Sequence, residues 1–387
     1  MRLPGFEPGS RAISNIFLPI LFNLINAEFR WEAHILTARL QPHKKLFFEK
    51  KGLFMIEIDG CYLEGGGQIL RTAVALSAIT KTPVHIYNIR GGRKQPGLKA
   101  QHLAAISAVA DLYNADLRGA KIGSKEIYFT PKELSSNSLK IKIKTAGSVG
   151  LVLQTLFLAS CKKLKIEIEG GGTSGKWAPS VIYLQHVFLK TLKRFGFRAD
   201  IKIIRHGFYP KGGAKVLAEI FQTKLKGFSL DRKIEKIEGI SIASEDLKRS
   251  DVAVRQKNMA ENILRKLNLP VEIKEKYVTS ISSGSIIELW TAPTILGANS
   301  LGEFRKRAEL VGEESARKLI NEITSGATVD KYLADQLIPF MALAEGNSSY
   351  RVSELTNHTK TNIWITEKFI DRKFRIKKSD KLFEIHI

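Results

Sequence analysis

A strand that runs into Glu-Gly-Gly-Gly and on into a helix occurs twice in this chain. Ile56-Glu57-Ile58 leads to Glu64-Gly65-Gly66-Gly67, and Ile166-Glu167-Ile168 leads to Glu169-Gly170-Gly171-Gly172. The alternating apolar residues before the glycines have strand periodicity, and helical spacing follows over 68–79 and 179–195. Copies of one supersecondary unit must pack on one another to bury their apolar faces. The pattern therefore predicts an α+β fold made of repeated β-α units.

Between the copies, the spacing predicts a strand over 84–88, a helix over 98–113, strands near 127–129 and 139–144, and a helix over 149–160. Segments 199–204 and 214–220 read as a β-pair. A last copy is split, with helix 332–345, strand 349–355, helix 359–370 and strands 373–376 and 381–386 completing it. Residues 233–326 differ: strand 237–244, helix 252–267, strands 271–278 and 285–291, helix 304–323. That order predicts a small inserted α/β domain, with 55–232 and 327–387 forming the main domain.

Residues 1–54 stand apart. The apolar run 16–25 after Arg2 and Arg11 imitates a secretory signal, but it is too short and too broken by Pro and Asn to span a bilayer. The codons that specify Gly5-Phe6-Glu7-Pro8 resemble the T-arm of a tRNA gene, and Met55 directly precedes the first strand. The expectation is that 1–54 is translated upstream sequence, outside the working protein; a basic, poorly ordered arm that helps hold RNA is the other reading. The net charge of +23 favours polyanionic partners, although a general basic bias produces the same figure. Cys61 and Cys161 supply neither a disulfide framework nor zinc spacing, which fits a reducing cytoplasm.

The chemistry-bearing residues fall in a few places. His358 lies at the mouth of a short helix, among Thr356, Asn357, Thr359, Thr361 and Asn362, with Thr356 or Asn357 as the N-cap. A helix N-terminus attracts anions and disfavours imidazolium, so His358 is expected neutral, with one ring nitrogen free to attack. A capped helix with an exposed histidine is the alternative. Glu64 before three glycines is either a divalent-metal contact beside a phosphate site or a glutamate placed by the helix dipole. Arg90 and Arg93, in a Gly-rich loop feeding a helix opened by Pro96, suit a terminal phosphate, and Arg71 lies one helical turn past the glycines. Gln101 and His102 follow on the next turn. Gln154 is a lone amide in an apolar helix, tied either to backbone or to a ligand. Asp335 and Gln336 on the apolar segment 333–343 pose the same choice, and Tyr332 can stack on a purine. Packing accounts for Trp177, Arg205 and His206.

Seven segments occur in order: IDGCYLEGGGQILRTAVALS, NIRGGRKQPGLKAQHL, AGSVGLVLQT, EGGGTSGKWAPS, RHGFYPKGG, YLADQL and NHTKTNI. Together they resemble the RNA 3′-terminal phosphate cyclase family, in an archaeal-type member, from about Met55 to the C-terminus. Cys61-Tyr62-Leu63 departs from the small residues usual before the glutamate. The resemblance implies a main domain of three repeats, the last split, with a small thioredoxin-like insert. It implies an ATP-dependent ligase that turns an RNA 3′-phosphate into a 2′,3′-cyclic phosphodiester, with AMP carried first on His358 and then on the RNA. It implies Glu64 as the Mg²⁺ or Mn²⁺ contact. Gln154, Tyr332, Leu333, Ala334, Asp335 and Gln336 are implied to meet ATP, and Arg71, Arg90, Arg93, Gln101 and His102 the substrate phosphate. RNA ending in a 3′-phosphate is the implied partner, with no membrane and no stable protein partner. Two rivals remain: a non-catalytic relative serving ribosome assembly, which would lack the histidine, and an enolpyruvyl transferase, whose substrate-binding pattern is not seen.

Overall fold

The computed structural model describes residues 54–160 and 162–387. Apart from Phe54, the expectation for 1–54 lies outside the described residues, as does that for Cys161.

The first unit consists of β1 (Ile56–Asp59), α1 (Gly67–Thr80), β2 (Val84–Tyr87), α2 (Ala100–Tyr113), β3 (Asp116–Arg118) and β4 (Ile127–Thr130). Its sheet has the order β1-β2-β4-β3, with β1 and β2 parallel and the other pairs antiparallel. The second unit is β5 (Ser138–Ser148), α3 (Val149–Ala159), β6 (Leu164–Gly172), a helical stretch α4 over 181–195, β7 (Ala199–Arg205) and β8 (Lys215–Ile220). The order β5-β6-β8-β7, again with the first two parallel, repeats the first topology. In β5, Leu139, Ile141 and Ile143 face the core while Lys140, Lys142 and Lys144 face water, as the period of two dictates. Helix α1 is buried on nearly all sides, because α2, α3 and the sheet enclose it.

An insertion follows: β9 (Ile234–Ser244), α5 (Val252–Leu264), β10 (Val271–Val278), β11 (Ser285–Pro293), β12 (Gly297–Leu301) and α6 (Ala308–Ser325). It has its own sheet, ordered β10-β9-β11-β12, and its own apolar core around Ile237, Leu264, Ile273, Leu289 and Leu319. The chain then runs through α7 (Lys331–Leu343), β13 (Ser349–Val352), α8 (Asn357–Phe369), β14 (Arg375–Ser379) and β15 (Leu382–His386), with sheet order β13-β15-β14. Parallel bridges Lys226↔Glu345 and Ser229↔Ser349 lay 226–229 beside β13. That segment lies beside β13, where a first strand stands in the other two sheets, and the stretch from β9 to α6 falls between it and α7. The fold is α+β, as the periodicity predicted. No helix among the described residues is long and apolar enough to cross a membrane.

Local differences from the sequence reading have local causes. The two Glu-Gly-Gly-Gly runs are not equivalent: β1 is the first strand of its unit and β6 the second. Glu169 to Gly172 lie inside β6, where a Cβ at Gly170 would collide with the Ile143 carbonyl across the sheet. Helix α4 is broken, with a π-helical turn at Leu184–Phe188 and a tight last turn ending at left-handed Gly196. Helix α2 starts at Ala100, later than Pro96, because Arg90 to Lys99 are held as a loop. Helix α6 starts at Ala308 because Arg305 adopts φ 64° and breaks the run. Strand β12, small and polar in sequence, went unnoticed; pairing with β11 makes it a strand.

Carboxylates tie the insertion to the repeats. Ser180 Oγ, at the start of α4, donates to Glu288 Oε2 on β11 at 2.6 Å, and Asn299 Nδ2 donates to Glu288 Oε1 at 3.1 Å. Asp330 accepts from Tyr183 Oη at 2.9 Å and from the Gly297 amide at 2.9 Å, while capping α7 through the amides of Tyr332 and Leu333. Burial pushes the Glu288 carboxyl up to about 8, its hydrogen bonds opposing only in part. Raised above its unfolded value, Glu288 adds stability at low pH that is lost as pH rises toward about 8. Glu288→Gln should flatten that slope: melting temperature followed from about pH 5 to about pH 8 should fall less in the variant than in the parent. Parallel slopes would show that Glu288 is not the titrating group.

Candidate active site at the α1–α8 contact

The turn from β1 to α1 is tight, with Leu63 at φ 51° and Gly65 at φ 54°. It presents Glu64 beside the start of α8, whose N-cap is Thr356, accepting from the Thr359 amide at 3.1 Å. Tyr62 stacks on Trp364 of α8 with ring centroids 4.1 Å apart, so the departure at 61–63 supplies an aromatic clamp between the turn and the helix.

Gln68, on the first turn of α1, fixes the His358 ring. Its Nε2 donates to the His358 carbonyl at 3.0 Å, which aims its Oε1 at His358 Nδ1. Only a protonated Nδ1 can meet that oxygen, so Nε2 bears the lone pair when the ring is neutral. Nε2 lies 3.3 Å from Glu64 Oε2, which also accepts from Arg93 Nη2 at 3.1 Å. Partial burial pulls the His358 pKa below its ordinary value; Glu64 pushes back, and Arg71 and Arg93 pull it further down. Its side chain still keeps 46% of its surface open to solvent. A neutral, reachable imidazole beside cations can attack a phosphorus.

Behind this front lies a second layer. Arg71 and Asp335 are each half-buried, and burial wins over their mutual attraction: Arg71 falls to about 10 and Asp335 rises to about 7. Asn362 Oδ1 accepts from Thr72 Oγ1 at 3.0 Å and its Nδ2 donates to the Asp335 carbonyl at 2.7 Å, joining α1, α7 and α8.

The other anticipated residues divide. His102 is buried, its Nδ1 accepts from the Lys99 amide at 3.3 Å, and burial with nearby Arg71, Arg90 and Lys99 drops its pKa to about 3. It is neutral and offers only an Nε2–H, which points at Gly67, where a Cβ would overlap it. Arg90 Nη1 donates to the carbonyls of Gln95 at 2.6 Å and Gly97 at 3.0 Å, so it braces the loop in which Arg93 is presented. Gln101 Oε1 accepts from the Ser148 amide at 3.2 Å and leaves its NH₂ for other work. Gln154 is half-buried on α3, which packs on α1 and α2. Tyr332 is 57% exposed, whereas Leu333 and Ala334 are wholly buried and can offer a ligand backbone only. Gln336 Nε2 donates to the Tyr332 carbonyl at 2.7 Å, but its buried Oε1 has no partner among the described residues, an acceptor still to be satisfied. Among the described residues no group of three or more His, Cys, Asp or Glu side chains could hold a metal ion. Glu64 is the carboxylate beside the His358 ring, and Asp335 lies in the layer behind it.

Against this geometry stand the comparisons. A family model described as RNA 3′-terminal phosphate cyclase matches residues 62–376. The chain belongs to the RNA 3′-terminal phosphate cyclase family. A Methanosarcina barkeri protein named RNA 3′-terminal phosphate cyclase is 45% identical over 336 residues, covering 86% of this chain and 100% of that protein. One of the same name from Pyrococcus abyssi is 46% identical over 327 residues, 83% of this chain and 94% of its own length. A third, from Thermococcus gammatolerans, is 44% identical over 328 residues, 83% of this chain and 94% of that protein. Membership makes the chain an enzyme.

Sequence reasoning gave no role to Gln68 or Asn362 and passed over Asp330. Gln68 was visible as the polar residue closing Glu-Gly-Gly-Gly-Gln, and Asn362 as an amide amid the apolar spacing of α8; only the fold shows whom they touch. The charges around His358 predict how its titration responds. By NMR the ring should titrate below the usual histidine value; Glu64→Gln should move it lower still and Arg93→Met should move it up. Opposite movements would show that Glu64 and Arg93 do not set the charge on the ring.

Proposed function

We propose that this cyclase uses ATP to convert an RNA 3′-terminal phosphate into a 2′,3′-cyclic phosphodiester, with His358 as the covalent carrier of AMP. The observation that carries the reading is the Gln68–His358 pairing, which leaves Nε2 unprotonated on the solvent-open side, beside Glu64 and Arg93. Nε2 attacks the α-phosphorus of ATP, the N–P bond forms, and the bond to the bridging oxygen breaks as pyrophosphate leaves. Nδ1–H stays on Gln68 Oε1, which spreads the positive charge that the ring acquires. An oxygen of the RNA 3′-phosphate then takes the AMP, restoring the histidine. The neighbouring ribose 2′-OH attacks the activated phosphorus, losing its proton to solvent as AMP departs. No protein nucleophile is needed for the last step; holding the hydroxyl in line suffices.

Arg93 is the exposed cation best placed for the RNA phosphate, with Arg71 behind it and the N–H groups of His102 and Gln101 available as neutral donors. Tyr332 and the unsatisfied Gln336 Oε1 suit a purine base, and Gln154 and Asp335 its surroundings. A Mg²⁺ or Mn²⁺ ion held by Glu64 would neutralise phosphate charge there, taking its remaining oxygen ligands from the nucleotide. A non-catalytic role in ribosome assembly finds no support in a histidine so held. The reactants, ATP and RNA, suit work in the cytoplasm.

His358→Ala and His358→Asn should abolish labelling of the protein by ATP radiolabelled at the α-phosphate while leaving the fold intact, since an amide cannot replace imidazole as a nucleophile. Label on either variant refutes the assignment. Arg93→Ala should slow cyclisation of 3′-phosphorylated RNA by about tenfold or more, the loss expected for one charge-assisted bond, and self-adenylation by less. RNA with a 3′-phosphate and a 2′-deoxy terminal sugar should accumulate the pyrophosphate-linked adenylate; free AMP with no adenylate would mean that hydrolysis, not ring closure, releases it.

A further inference from the structure

We infer that Trp177, Tyr209 and Phe304 form a stacking surface for the single-stranded RNA that precedes the reacting 3′ end; this rests on the function proposed above. The three rings are 96%, 80% and 92% exposed. Packing, assigned to Trp177 on sequence grounds, therefore explains none of its ring. Trp177 also holds a left-handed backbone at φ 60°, a conformation that bulky residues seldom adopt and that persists only where the surroundings impose it. His206 and Arg205, by contrast, are structural: His206 Nδ1 meets Thr173 Oγ1 at 3.3 Å and Arg205 Nε donates to the Gly213 carbonyl at 2.6 Å.

The loops that carry the rings are fastened together. Lys176 Nζ pairs with Glu303 Oε2 at 2.7 Å, joining the Trp177 loop to the Phe304 loop. The Thr173 amide donates to the Gly207 carbonyl at 2.9 Å, joining the Trp177 loop to the Tyr209 loop. The Lys211 amide donates to Ser282 Oγ at 3.1 Å, anchoring the Tyr209 loop on the insertion. Each ring has a cation beside it in sequence or one residue away: Lys176, Lys211 and Arg305, the last lying 5.3 Å from the Phe304 centroid. Aromatic faces interleaved with cations are what unpaired nucleotides need, because every base offers a π-face and every link a phosphate.

The surface also continues from the site. Gln101 holds the Ser148 amide at the mouth of α3. Two residues on, Gly150 lies so close to the Pro179 carbonyl that a Cβ would overlap it, and Pro179 is two residues from Trp177. Gly212, in the Tyr209 loop, packs in the same way on Ala146 and Gly171. An RNA whose terminal phosphate sits by Arg93 and Gln101 thus has its upstream nucleotides led toward these loops. The chain's net charge of +23 favours that polyanion over a protein partner.

The test compares a 3′-phosphorylated dinucleotide with a 3′-phosphorylated single-stranded decanucleotide, on the full protein and on Trp177→Ala/Tyr209→Ala/Phe304→Ala. KM for the decanucleotide should rise about tenfold or more in the triple variant, the loss expected when stacked bases are released, while KM for the dinucleotide and the rate of self-adenylation stay unchanged. Trp177→Tyr should keep most of the preference for length. Binding is read separately, with a decanucleotide ending in 3′-OH: it should quench tryptophan fluorescence in the parent, and much less in Trp177→Phe. Equal effects on both lengths, no effect on either, or a change in oligomeric state alone overturns the inference. If the parent cyclises neither oligonucleotide yet the decanucleotide still quenches it much more than Trp177→Phe, the proposed function fails and the stacking surface stands.

Discussion

One contact holds the candidate site together: Gln68 on the first turn of α1 gripping His358 on the first turn of α8, 290 residues apart in sequence. Everything else at the site is arranged around that grip. The Tyr62–Trp364 stack presses the β1–α1 turn onto α8, Asn362 bridges to Thr72 and to α7, and Glu64 and Arg93 close over the exposed edge of the ring. Break the grip, and the imidazole loses both its orientation and its tautomer. An unfixed ring would present the wrong nitrogen part of the time, so the proposed attack needs the positioning amide as much as the histidine itself.

The electrostatics follow from where water is excluded. At Arg71, Asp335, His102 and His358 burial is the largest influence, and in each case it disfavours the charged form. The site therefore rests with its histidines neutral and its inner carboxyl half-titrated near neutral pH. That is a poor arrangement for an empty pocket and a good one for a polyphosphate, whose charges would meet Arg71 and Arg93 with little competition from within the protein.

Much of the fold was readable because strands and amphipathic helices announce themselves by period. The lysine–isoleucine alternation of β5 and the helical spacing of α1, α5 and α8 needed no tertiary information. What misled was the glycine echo. Glu64-Gly65-Gly66-Gly67 and Glu169-Gly170-Gly171-Gly172 look alike but serve different needs, a turn in one case and close passage of β6 along β5 in the other. At the site, residue type drew attention to His358, Glu64 and Arg93, which the fold brings side by side. It could not tell that Arg90 Nη1 donates within its own loop, that His102 is too deeply buried to be a cation, or that Leu333 and Ala334 face the core, because those are facts about neighbours. Asp330 and Glu288 were overlooked for the same reason: an acid gives no sign in sequence that it will cap a helix or pin an insertion.

The split third unit has a consequence for the order in which the molecule comes into being. Synthesis delivers Glu64 and Gln68 early and His358 only after both the first two units and the insertion have left the ribosome. Until then the side of α1 meant for α8 has no cover, and the half-built unit begun at 226–229 must wait for α7 and β13. Contacts of such sequence separation are slow to form, and exposed apolar surface in the interval invites association with other chains. Under the function proposed above the same delay is protective: a nascent or truncated polypeptide would hold Glu64, Gln68 and Arg93 without His358, so nucleotide would be consumed only by chains that have been finished.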